Sequence, residues 1–260
     1  MEEMRREDYL RSIRFIENSN TFISEGSGQL IAKSVISHVS EIQDLTLDLL
    51  AEDTYLSDAS ISRFFKKAGF GSFHQFKYEF SDFMMNQKIT MIKDGFTDTN
   101  PNETMYLDSF RSHYGNVLEQ VSAAAAMMAD ASHVLMTGEM FDLIPFFDLQ
   151  VSLISNAIGT YFCRLSELPV FPERILKGKT LIFAILENSS QESLLQEMKE
   201  KTDASLICAG REENRNDLCD LYISLPLRTK AFHDSTGYSL LSAYLLHEFL
   251  KLKGMRTAKQ

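Results

Sequence analysis

The chain has 260 residues, of which 44% are hydrophobic and 24% charged, with a formal net charge of −10. That length holds one large or two small domains of an ordinary globular protein, and no apolar run is long enough to cross a bilayer, which argues against a membrane-embedded role. The acidic balance counts against indiscriminate nucleic-acid binding.

No signal peptide is read at the start of the chain. Cys163, Cys208 and Cys219 are odd in number and sit in or beside apolar segments. Together these features predict reduced thiols and a cytoplasmic protein.

Apolar residues recur at spacings of three and four from Glu7 to Ile16 and from Leu30 to Val39, so both stretches are expected to be helices, with Gly26 and Gly28 between them. Leu50 to Lys77, LAEDTYLSDASISRFFKKAGFGSFHQFK, then reads as two short helices around a tight turn. Thr54-Tyr55-Leu56 has the length of a helix-turn-helix connector. Ser57 is placed to cap the second helix, with Leu56 and Ile61 at hydrophobic-staple positions.

In that register Ile61, Phe64, Phe65 and Ala68 form the apolar stripe, and Gly69 ends the helix in a left-handed conformation. Ala59, Ser60, Ser62, Arg63, Lys66 and Lys67 occupy the other faces. Small residues in the first turn suit entry into a major groove, where Arg63 can reach a base edge and the lysines can neutralise phosphates. Ser57, Ser72 and Lys77 complete the candidate DNA-binding set.

Residues 1 to 90 carry 10 Lys and Arg against 14 Asp and Glu, but from Ser57 to Tyr78 the only acid is Asp58. The expectation is a basic face on an acidic protein. A solvated helix face over a small core, used for protein contacts, is the alternative.

These residues resemble the RpiR-type bacterial transcription regulators. The resemblance lies in Leu50-Ala51, Leu56-Ser57, Ala59-Ser60, Arg63-Phe64, Lys66-Lys67, Gly69-Phe70 and Phe76-Lys77. It is specific over this block and looser elsewhere. It implies a winged-helix-like DNA-binding domain followed by a sugar isomerase (SIS) domain that senses a phosphosugar.

Phe73, Phe76, Phe80 and Phe83 continue at helical spacing into a fifth helix, and Lys93 to Pro101 has the composition of a linker. The expected division is 1–90 for DNA binding, 91–101 for the linker and 102–260 for an SIS-like effector-binding and oligomerisation domain. Within the last, helices are expected at Met105 to Met128, Phe141 to Asn156, Gln191 to Lys201 and Ser239 to Lys253. Strands are expected at His133 to Thr137, Thr160 to Cys163, Thr180 to Leu186, Ser205 to Ala209 and Leu221 to Leu225.

Strands apolar on both faces belong to a parallel sheet covered by helices, so the expected class is a helical N-terminal unit plus an α/β domain with a mainly parallel five-stranded sheet. The Ala123 to Ala126 run is expected in the core or at a subunit contact.

The phosphosugar motifs of the SIS domain are degraded. Gly138-Glu139-Met140-Phe141-Asp142 stands where the family writes a Gly-x-Gly-x-Ser turn, and Leu186 to Gln191 stands where it writes Ser-x-Ser-Gly-x-Thr. Gly138, Glu139, Asp142, Glu187, Ser189 and Ser190 are the candidate effector residues, and the three carboxylates would repel a phosphate.

The six histidines show no metal-site spacing, and His233-Asp234-Ser235 are chain neighbours rather than a triad. No catalytic, cofactor or metal site is expected.

The function read from the sequence is a sequence-specific transcriptional regulator of a carbohydrate-related or other metabolic operon. It would act as a homodimer or homotetramer on an operator duplex, with a sugar derivative as candidate effector. A sugar-phosphate isomerase or an effector-binding protein on the same sheet is the alternative.

Overall fold

The computed structural model describes residues 6–20, 26–95, 115–170, 173–176, 178–186, 192–211, 214–215, 217–225 and 235–257. Five helices come first: α1 (Arg6–Ser19), α2 (Ser27–Ser37), α3 (Leu47–Thr54), α4 (Asp58–Lys67) and α5 (Phe73–Gly95). Phenylalanines at helical spacing hold them together. The buried Phe15 ring of α1 lies 4.6 Å from Phe76, 5.4 Å from Phe80 and 6.3 Å from both Phe65 and Phe70. Aromatic pairs at such separations each add about 0.5–1.5 kcal/mol beyond the area they bury.

The α/β part follows as α6 (Leu118–Asp130), β1 (His133–Thr137), α7 (Met140–Leu143), α8 (Phe147–Ser155), β2 (Gly159–Cys163), α9 (Glu173–Leu176), β3 (Thr180–Leu186), α10 (Glu192–Lys201), β4 (Ser205–Gly210), β5 (Leu221–Ser224) and α11 (Ser235–Thr257). The sheet order is β2-β1-β3-β4-β5, and every neighbouring pair is parallel. The expected fold class is the observed one. The chain direction reverses between β1 and β3, so the crevice at their carboxyl ends is where an open sheet of this order binds ligands.

One sheet face, with Val134, Met136, Phe183 and Ile207, packs under α6 and α11. Ala124 and Ala125 are buried there, which places the alanine run in the core. The other face, with Leu135, Tyr161, Ile182 and Cys208, packs under α10 and shares one continuous core with Phe15, Ile31, Phe65 and Phe76 of the helical unit. The helical unit is therefore packed against the sheet. Tyr161 Oη donates to the Lys33 carbonyl at 3.2 Å, and His133 Nε2 lies 3.1 Å from the Ser37 carbonyl.

Four expectations are corrected. The single helix over 141–156 is broken into α7, a 3-10 turn at Ile144–Phe146 and α8, because Pro145 has no amide to donate and its ring obstructs the preceding turn. Helix α5 runs to Gly95, into the expected linker, whose remainder lies outside the described residues. Cys208 and Cys219 form a disulfide, with Cα atoms 6.0 Å apart, so only Cys163 is a free thiol. The Met105 helix is seen from Leu118 onward, after a 3-10 turn at Gly115–Val117, its earlier residues lying outside the described set.

Candidate nucleic-acid interface

Helices α3 and α4 are set by caps that the sequence writes out. Leu49 N donates to Thr46 Oγ1 at 3.2 Å at the start of α3, and Ser60 N donates to Ser57 Oγ at 3.4 Å at the start of α4. Between them Tyr55 takes a left-handed conformation, φ 58°, and is 95% exposed. At the other end of α4, Phe70 N donates to the Phe65 carbonyl at 3.0 Å and Gly69 N to the Lys66 carbonyl at 3.1 Å, the paired bonds of a Schellman motif. Gly69 sits at φ 90°, and a Cβ there would meet Arg11 Cδ at 2.9 Å, so both backbone and space require glycine.

The pair is also fixed from behind. Ser34 Oγ donates to Asp53 Oδ2 at 2.5 Å, and His38 Nε2 lies 3.0 Å from the same oxygen, so one carboxylate of α3 holds two residues a helical turn apart at the end of α2. Both bond the carboxylate rather than each other, which is a structural clamp and not a nucleophile–base arrangement.

The apolar stripe is as expected, with Ile61 and Phe65 buried and Phe64 and Ala68 half-buried. On the other faces Ser57, Ala59, Arg63, Lys66 and Lys67 are exposed, and Ser60 and Ser62 are half-buried. Arg63 Nη2 donates to Ser60 Oγ at 3.0 Å. Lys66 and Lys67 meet no carboxylate or carbonyl among the described residues, and the exposed Asp58 pairs with none of the three cations. Elsewhere bases find acids: Arg11 binds Asp8 and Glu79, Lys199 binds Asp220, and Lys201 binds Glu197.

Two expected members differ. Lys77 Nζ donates to the carbonyls of Gln43 at 2.8 Å and Leu45 at 2.9 Å, so its charge is spent on the end of a turn and is not offered to a ligand. Ser72 is exposed and caps α5, accepting from Gln75 N at 3.1 Å. Arg14 on α1 is exposed and meets no acid among the described residues, a cation that sequence reasoning misses because it lies outside the helix-turn-helix block.

At the carboxyl end of β1, Gly138 is buried, and a Cβ there would come within 3.1 Å of Ile185 Cβ, so the turn lies against β3. Glu139 is exposed beside it. Asp142 is corrected: it is fully buried, on the inner side of α7, and offers no surface to a dissolved ligand. Glu187, Ser189 and Ser190 lie outside the described residues. A separate open cavity of about 540 Å³ lies at the opposite, amino-terminal edge of the sheet, lined in part by Asp130, Lys179 and Asp203.

Burial and charge combine at one further place. Burial pushes the Cys163 thiol up to about 12, with Lys33 opposing and Glu167 adding to the shift. Burial likewise lowers Lys33, against the pull of Cys163 and Glu167. A thiol held protonated is a core residue rather than a nucleophile. Among the described residues no group of three or more His, Cys, Asp or Glu side chains could hold a metal ion, and no helix is long and apolar enough to cross a membrane.

No family model matches the chain, and no curated protein matches it. Solved structures do overlap with it. The Vibrio vulnificus NanR protein complexed with ManNAc-6P has 15% identity and a TM-score of 0.43, with 96% of this chain and 97% of that chain covered. The C-terminal domain of glucosamine-fructose-6-phosphate aminotransferase from Francisella tularensis has 10% identity and a TM-score of 0.41, over 82% of this chain and 50% of that one. An E. coli CFT073 protein in complex with a sugar phosphate has 14% identity and a TM-score of 0.41, over 65% of this chain and 87% of that one.

Proposed function

We propose that the chain is a sequence-specific DNA-binding regulator of RpiR type, in which α3 and α4 form the helix-turn-helix and the parallel sheet domain is SIS-like, joining subunits and receiving a small effector. The observation that carries this reading is the state of α4. In a chain with ten excess negative charges, Arg63, Lys66 and Lys67 stand exposed on one helix with no acid against them. Unneutralised cations on the helix after a tight turn are what a polyanion needs, since each phosphate they neutralise releases a counterion. A homodimer or homotetramer would bring two copies of α4 to half-sites about 34 Å apart on one duplex face.

The crevice between β1 and β3 is the effector site in this reading, with Gly138 letting the backbone come close and Glu139 at its rim. A carbohydrate derivative without a phosphate suits an exposed carboxylate better than a phosphosugar. Catalysis has no part in the proposal, because the buried Cys163 thiol and the Asp53 clamp leave no activated nucleophile at either place.

The testing experiment is selection of duplexes from a randomised library by the full-length protein, followed by titration of the enriched sequence. The reading expects a palindromic or directly repeated motif bound at nanomolar to sub-micromolar concentration at moderate salt. A library that stays random after repeated rounds would defeat it.

A further inference from the structure

The exposed edge of α4 carries a run of hydrogen bonds that a merely solvated helix has no use for. Arg63 Nη2 donates to Ser60 Oγ at 3.0 Å, Ser60 Oγ lies 3.0 Å from Ser57 Oγ, and Ser60 N donates to Ser57 Oγ at 3.4 Å. Residues spaced by three lie along one ridge of a helix, and helical side chains lean toward the amino end. The guanidinium is thus drawn back over the first turn of α4, the end that a helix-turn-helix presents to base edges.

The direction of the protons follows from what each group can do. A guanidinium only donates, and a serine hydroxyl has a single proton. If Ser60 donates to Ser57, the Ser57 proton is left over; if Ser57 donates to Ser60, the Ser60 proton is. In either direction one hydroxyl proton and the remaining N–H groups of Arg63 meet no acceptor among the described residues. The ridge is a fixed array of donors, and its complement is a group that offers acceptors side by side.

We propose that Ser60 is a positioning residue that holds Arg63 for the edge of a guanine, so that the bound duplex carries a guanine facing the first turn of α4. Among base edges in the major groove, guanine alone presents two adjacent acceptors, N7 and O6, and a forked guanidinium meets both. Lys66 and Lys67, which nothing holds, are point charges suited to phosphates of any sequence. The inference rests on the DNA-binding reading and adds the base and the residue that selects it. A phosphate also accepts from a guanidinium, and the experiment below separates the two.

The test takes the duplex selected by the full-length protein and replaces each guanine in turn by 7-deazaguanine, which lacks the N7 acceptor. Affinities are measured for the wild type, Ser60→Ala, Ser60→Thr, Arg63→Ala and Lys66→Ala. One guanine per half-site is expected at which the replacement weakens the wild type about tenfold. The effect disappears in Arg63→Ala, falls to about threefold in Ser60→Ala and returns in Ser60→Thr, because loss of the hydroxyl frees the long Arg63 side chain to sample other rotamers. Lys66→Ala keeps the full effect while binding every duplex more weakly.

The proposal is overturned if no guanine responds, if Arg63→Ala still responds, or if Ser60→Ala discriminates as the wild type does. In the last case a weakened Lys66→Ala leaves the DNA-binding reading standing without the positioning role. A wild type that selects no duplex removes both.

Discussion

Asn20 and Gln150, 130 positions apart in the chain, face each other as a fully buried pair of side-chain amides. Asn20 Nδ2 donates to Gln150 Oε1 at 2.9 Å and Gln150 Nε2 returns a bond to Asn20 Oδ1 at 2.7 Å. Each also reaches the edge strand: Asn20 Oδ1 accepts from Phe162 N at 2.9 Å, and Gln150 Nε2 donates to the Thr160 carbonyl at 3.1 Å. A residue just beyond α1 thereby completes the exposed ladder of β2, which otherwise would present unpaired amides. The same pair fastens the helical unit to the sheet.

Breaking this clasp from one side strands polar groups in the interior. Asn20→Ala and Gln150→Ala are each expected to cost about 1–3 kcal/mol, and the Asn20→Leu/Gln150→Leu double variant less than the sum of the two single leucine variants. Urea unfolding of these variants beside the wild type checks this, and additive losses would show that the amides act independently.

The Cys208–Cys219 bridge closes a short loop between β4 and β5. Its reduction should lower stability by about 2–3 kcal/mol, since a loop of roughly ten residues regains its freedom in the unfolded chain. Maleimide labelling in denaturant gives the count directly. One labelled cysteine, Cys163, is expected before reduction and three after; three before reduction would mean that the bridge does not form.

Cys163 makes stability depend on alkaline pH. Its thiol titrates near 9.0 when unperturbed and is pushed up to about 12 in the fold, so between these values the folded chain holds a proton the unfolded chain has lost. Stability is fully present below about pH 9 and falls as pH rises toward 12, by on the order of 4 kcal/mol in all, while Lys33, lowered by burial, works in the opposite sense. Cys163→Ala should have a lower midpoint at pH 7 and a shallower decline above pH 9. Parallel declines in the two proteins would remove Cys163 as the cause.

Much of this architecture is legible in the sequence because it is written locally. The strand at Thr180–Leu186 is apolar throughout, and its limits follow from that run alone. Ser57, Gly69 and the spacing of Ile61 and Phe65 define α4 within a few residues of one another. What escapes is what distant segments do to each other. The attachment of Lys77 to the carbonyls of Gln43 and Leu45, the pairing of Cys208 with Cys219 and the burial of Asp142 each depend on the packed fold. The effector crevice is the least legible part, because its chemistry lies in turns after strands, where periodicity carries no information.

Tyr55 occupies a left-handed position that glycine fills without steric cost. Because its ring is exposed, Tyr55→Gly removes little packing and should raise the unfolding free energy by up to about 1 kcal/mol. Thermal denaturation checks the sign. A loss of stability would mean that the ring contributes more than its exposure indicates.

The account stands most directly on whether the cations of α4 meet phosphates. Binding of the full-length wild type, Lys66→Ala, Lys67→Ala and the double variant to the selected duplex and to a scrambled one, followed across a salt series, measures this. Each single substitution should weaken binding to both duplexes and reduce the slope of log affinity against log salt by about one, and the double variant by about two. Slopes and affinities unchanged from the wild type, or a wild type that binds neither duplex at low salt, would contradict the central claim.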